Sequence, residues 1–171
     1  MGNSPRGAGA LAPLRPAPVR PGPVAQTAGR VAGGACLSYR TAVPVEPGLS
    51  ARVSLVVDEG DTALALHSGD VPVLATPRLI ALCEEAACQA VAGKLGEGST
   101  SVGVRVQFDH LAPVRTGSKI VAEATLEKVE GRRLVFTVTA TDPAGLVGAG
   151  KVTRVVVGRE DFLAKAREPS P

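Results

Sequence analysis

Aromatic residues are almost missing from this chain of 171 residues: they make up 2%, and there is no tryptophan. Val, Leu, Ile and Ala must therefore fill the core of a globular protein that is 44% hydrophobic. No apolar run approaches the roughly 18 residues of a membrane-spanning helix, so no membrane partner is expected. Cys36, Cys83 and Cys88 form neither a disulfide framework nor a set with metal-ligand spacing. Reduced thiols in a cytoplasmic protein, with no metal and no cofactor, are the expectation. There is no Walker A segment, dinucleotide fingerprint or nucleophile elbow. "LVGAGKV" is glycine-rich, but no helix follows it to make a phosphate loop.

Acidic residues are missing from the first 40 positions, which carry five arginines. The formal charge of +3 therefore misleads: without that stretch, fourteen basic residues face sixteen acidic ones. The basicity belongs to the tail, and the tail lacks lysine. No nucleic-acid partner is expected, because phosphate binding wants a basic folded face or a dedicated arm. The prolines of "LAPLRPAPVRPGPVAQ" recur too closely for a helix or a central strand. Residues 1–37 read as a disordered extension, 38–165 as the folded domain and 166–171 as a short tail.

Within the domain, "LSARVSLVVDEGDTALAL" reads as a strand, a turn at Glu59-Gly60 and a second short strand. "HSGDVPVLA" is an irregular connection. A helix then starts at Thr76, which fits an N-cap, with Pro77 in the first helical position. Leu79, Ile80, Leu82, Cys83, Ala86, Ala87, Ala90 and Val91 supply its apolar stripe, and it should end near Gly93 to Gly96. After it the period switches to two. In "TSVGVRVQFD", Val102, Val104, Val106 and Phe108 fall on one face, and Gly103, Arg105, Gln107 and Asp109 on the other. Three more strands follow, joined by turns at Glu130-Gly131 and Asp142–Gly145, and "REDFLAKARE" reads as a short closing helix. The layout predicts an antiparallel sheet wrapped around one apolar helix. A second copy of the chain is expected to cover what one helix leaves bare.

The helix carries adjacent carboxylates that cannot point the same way. Glu85 groups with Arg78 and Gln89 on the wet face. Glu84 falls on the border of the apolar stripe beside Ile80 and Val91, where a carboxylate faces a pocket, a subunit interface or simply a salt-bridge partner. His110 follows a strand and precedes Pro113, so it sits where a sheet edge turns, and its imidazole suits acid–base work near neutral pH. Its plain alternative is a surface histidine. His67 lies in a loop and gives less to argue. Thr76 caps the helix or sits beside free N–H groups where negative charge is stabilised. Asp109 is discounted as a partner for His110, because strand neighbours point to opposite faces.

From about residue 58 to 165 the chain resembles hotdog-fold acyl-CoA thioesterases, most closely the fluoroacetyl-CoA thioesterase type. The resemblance lies in "LATPRLIALCEEAAC", "SVGVRVQFDHLAPVRTG", "LEKVEGRRLVFTVTATD" and "VGAGKVTRVVV", in that order. It implies an α+β fold with a long antiparallel sheet wrapped around a central helix, and a homodimer with composite sites. It gives Thr76, Glu84 and His110 the catalytic roles in acyl-CoA hydrolysis, and matches Gly103 to a glycine that lets the thioester approach the strand. It leaves Glu84 as nucleophile or as general base. Arg105, Arg115, Lys119, Arg132 and Arg133 are the candidate cations for CoA phosphates. The family's best-known member has phenylalanines before its catalytic threonine; "HSGDVPVLA" has none, which implies a broader short or medium acyl group. Two other classes stay open, a hotdog hydratase or dehydratase acting on enoyl thioesters and a non-catalytic acyl-CoA binding module; a purely structural oligomer is a third.

Overall fold

The computed structural model describes residues 43–166. The expected extension 1–37, Cys36 and nearly all of the tail lie outside those residues. Five strands form one antiparallel sheet: β1 (Ser50–Val56), β2 (Ser99–His110), β3 (Lys119–Glu130), β4 (Arg133–Asp142) and β5 (Gly145–Gly158). Their spatial order is β1-β3-β4-β5-β2. Helix α1 (Thr76–Ala90) lies across the concave face and packs mainly on β1 and β3, and a short α2 (Arg159–Lys165) follows β5. This is the wrapped arrangement of the hotdog fold. Among the described residues, no helix is long and apolar enough to cross a membrane.

The core shows how a chain so poor in aromatics closes. Leu79, Leu82, Cys83, Ala86, Ala87 and Ala90 of α1 are buried against Ile120, Ala122, Ala124, Leu126, Leu134, Phe136, Val138, Ala140 and Val152. Phe136 is the one fully buried aromatic among the described residues. Alanines on both layers bring the helix axis close to the sheet. Each leucine or valine taken out of water contributes about 1.5–3 kcal/mol.

Three local expectations are overturned. The second short strand is a turn. Asp58 accepts the N–H of Gly60, and Asp61 accepts the N–H of Asp58, winding Glu59–Asp61 into a 3-10 turn. Thr62 prolongs the turn: its hydroxyl donates to the Glu59 carbonyl and accepts the N–H of Ala65. These side-chain bonds compete successfully with extension of the alternating "TALAL". Thr76 is not the N-cap. Ala75 holds that position without a side-chain bond, and Thr76 is the first helical residue. The helix ends at Ala90, with Val91 as its C-cap, before Gly93 takes its left-handed φ of 70°.

The faces of β2 are the third correction. Gly103 pairs with Arg154, but Arg105 pairs with Thr153, so Val104 is the extra residue of a β-bulge. Alternation restarts after it. Gly103 therefore lies on the same concave face as Val106, Phe108 and His110, while Val102 takes the outer face with Arg105, Gln107 and Asp109. Val104 itself is 52% exposed. Strand β2 is also an edge: among the described residues it pairs with β5 alone, leaving twelve residues open on the other side.

Candidate active site

Thr76 and His110 meet. The Thr76 hydroxyl, freed from capping, lies 2.9 Å from Nδ1 of His110 at the end of β2. That bond occupies Nδ1 and fixes the ring. The other ring nitrogen, Nε2, is buried and has no hydrogen-bond partner in the protein. The residues Thr76 and His110 are among those lining a cavity of about 340 Å³ beside the 63–73 connection. Asp109 is exposed on the outer face, away from that pair, as alternation predicted.

Glu84 occupies the border position expected of it, with a side chain 34% exposed. Its Oε1 accepts from Nη1 of Arg154 at 3.0 Å. Arg154 is itself buried, its side chain 7% exposed, and doubly anchored on Ser101. Nε donates to the Ser101 hydroxyl at 3.0 Å and Nη2 to the Ser101 carbonyl at 2.8 Å. The guanidinium thus holds one carboxylate oxygen while Oε2 makes no hydrogen bond among the described residues. A Cβ built on Gly103 would overlap Oε1 of Glu84, so only glycine lets that carboxylate lie on the strand. Glu85 points away and meets only Gln89, at 3.4 Å, while Arg78 turns from that wet face to pair with Asp61.

Arg154 and Ser101 escaped the reading of the sequence. The available signal was an arginine on the inward row of "KVTRVVV", between Val152 and Val156. A charge in such a row must have a buried partner. The neighbouring Cys83 is no rival nucleophile: burial pushes its thiol up to about 12, so the thiolate is suppressed. Nor is "LVGAGKV" a phosphate loop. Gly148 faces β2, where a Cβ would overlap the ring of Phe108.

Within one chain the two clusters stand apart. Thr76 and Glu84 are eight residues apart on α1, about 12 Å of rise. Gly103 and His110 are seven positions apart on β2, on the order of 20 Å. The cations are scattered too. Arg105 and Arg133 share the outer face on either side of β5, Lys119 begins β3, and Arg115 bridges to Val73 on the far side. Arg132 lines a separate cavity with Leu95 and Asp161. None of the five forms an ion pair among the described residues.

A family model described as FlK, fluoroacetyl-CoA-specific thioesterase, matches residues 57–160. The fluoroacetyl-CoA thioesterase of Streptantibioticus cattleyicolor is 36% identical over 99 residues, covering 58% of this chain and 71% of that protein. A solved structure of the fluoroacetyl-CoA thioesterase FlK superposes with a TM-score of 0.70 at 31% identity, covering 74% of this chain and 98% of that one. A thioesterase superfamily member from Thermus thermophilus superposes at 0.67 with 30% identity, covering 72% and 92%.

Proposed function

The chain belongs to the fluoroacetyl-CoA-specific thioesterase family, and from that premise we propose that its 38–165 domain hydrolyses short or medium acyl-CoA thioesters to the free acid and CoA. The enzyme is an acyl-CoA thioesterase. The observation that carries the assignment of its residues is the seat of Glu84, with one carboxylate oxygen clamped by Arg154 and the other free, at a strand position where any Cβ would displace the carboxylate.

In this mechanism the free oxygen of Glu84 attacks the thioester carbonyl carbon, or takes a proton from the water that does. The carbonyl π electrons move to oxygen, and a backbone N–H of β2 at Gly103 stabilises the oxyanion; losing such a donor costs roughly 3 kcal/mol. The C–S bond then breaks, and the departing sulfur takes a proton from His110. If Glu84 has become acylated, water opens the mixed anhydride with His110 as base. Thr76 holds the imidazole by Nδ1. Arg105, Arg115, Lys119, Arg132 and Arg133 are the proposed phosphate contacts; Arg105 and Arg133, on one face, are the best placed to act together.

The separation of the two clusters within one chain motivates the second half of the proposal, a homodimer. The open edge of β2 pairs antiparallel with the β2 of a second copy, Gly103 opposite His110. Cross-strand neighbours lie about 4.5–5.5 Å apart. The bulge puts both residues on the concave side, so each Glu84 meets the other chain's Thr76–His110 pair. The test is thiol release from an acyl-CoA panel by the native protein, Glu84→Ala and His110→Ala. Loss of turnover in both variants, with Glu85→Ala nearly unaffected, is the expected result. Unchanged rates in both remove the mechanism. Water addition to an enoyl-CoA without thiol release selects the hydratase class instead.

A further inference from the structure

Resting on the thioesterase reading, we propose that the Asp61–Arg78 pair is a positioning device for the reaction: it sets where α1 begins, and so keeps the Thr76 hydroxyl on His110 rather than on its own helix. Asp61 is buried at the end of the 3-10 turn. It holds the start of α1 twice. Its backbone carbonyl accepts the N–H of Ala75, the N-cap residue, at 2.9 Å. Its carboxylate accepts Nε of Arg78, two residues after Thr76, at 2.7 Å, and its other oxygen accepts the N–H of Asp58 at 3.0 Å. The side chains of Arg78 and Asp61 are only 27% and 11% exposed, so solvent and salt screen the pair little. The brace continues along the backbone. Thr62 bridges to Leu74, and Ala63 donates to the Val73 carbonyl at 2.8 Å.

Local sequence favours a different start. Threonine as N-cap with proline next is an ordinary helix opening. A helix begun one residue later would spend the Thr76 hydroxyl on its own N–H groups and leave Nδ1 of His110 without its partner. The Ala75 side chain does not oppose that shift, since it makes no capping bond. Asp61 does. It secures Ala75 at the N-cap position and Arg78 in the first turn. An arginine beside the positive end of a helix is unfavourable unless a carboxylate offsets it. Asp61 supplies that carboxylate, and with it the negative charge that a capping side chain would otherwise bring. Neither residue lines the cavity beside His110 or bonds to Glu84. Both act through Thr76.

The experiment uses the full chain and a panel of short and medium acyl-CoA thioesters. It compares native protein, Arg78→Ala and Arg78→Lys, and repeats Arg78→Ala in a Thr76→Ala background. Arg78→Ala should lower kcat about tenfold with KM unchanged, and Arg78→Lys should recover most of that loss. In the Thr76→Ala background, Arg78→Ala should cost less than about a further twofold, because the hydroxyl it positions is gone. The chain has two histidines, so ring NMR signals report His110 without any substrate. Those signals should move in Arg78→Ala and return in Arg78→Lys. Equal kcat losses in both backgrounds, or none in either, overturn the proposal and leave the pair a brace for the fold alone. So do His110 signals that stay in place in a folded Arg78→Ala. No turnover of any acyl-CoA by the native protein is a separate result: it removes the thioesterase reading itself, and the His110 signals still decide whether the pair holds Thr76 on the imidazole.

Discussion

At Gly103 a single missing methyl decides whether Glu84 has somewhere to lie. Gly103→Ala should leave the circular dichroism spectrum intact, because the added Cβ overlaps only the movable end of the Glu84 side chain, while kcat falls about a hundredfold through displacement of the carboxylate. Arg154 acts on the same group from the other side. Replacing it with methionine keeps the apolar stem but leaves Glu84 without its partner. Urea denaturation should show a loss of about 1–2 kcal/mol, reduced by the partial exposure of Glu84, together with a fall in kcat. Glu84 itself was legible because helical phase alone places it on the stripe's border. Arg154 was not, because a strand's period shows only that a residue faces inward, never what it meets there.

The start of α1 shows what a local rule misses among elements. Threonine followed by proline is a common helix opening, and capping is the ordinary use of its hydroxyl. Here the hydroxyl goes to His110, from a strand 34 residues later. Thr76→Ala should therefore lower the melting temperature far less than the ~1 kcal/mol of a lost cap implies. It should lower kcat and shift the pH–rate profile as the imidazole loses its anchor. The order of β3, β4 and β5 and the turns between them were legible from turn residues and alternation, although β3 begins only at Lys119, after the turn at Gly117. The bulge in β2 was not, because it leaves the composition untouched and shifts only the phase. Without it Gly103 and His110, an odd number of residues apart, would face opposite ways.

For the whole molecule, mixing is the decisive measurement. Glu84→Ala and His110→Ala chains, each inactive, should regain thiol release when co-refolded, since a mixed pair holds one intact site. No recovery, with mixed pairs confirmed by mass, would show that each site lies within one chain. Stability carries its own signature at alkaline pH. The folded state raises the Cys83 thiol from 9.0 to about 12. The unfolded chain therefore releases that proton first, and its contribution to stability, complete below 9.0, is lost as pH climbs toward 12. Cys83→Ala should flatten that alkaline decline in a denaturation series.

The unpaired margin of β2 has one more consequence. If Gly103 of each chain lies opposite His110 of the other, with Val104 bulged out as the extra residue, the symmetry axis passes at Gln107, which confronts its own twin. A negative charge introduced by Gln107→Glu would meet its duplicate, and one gene change would strain both reaction centres at once. A compensating Gln107→Lys chain, mixed in, would turn that repulsion into a preference for unlike partners.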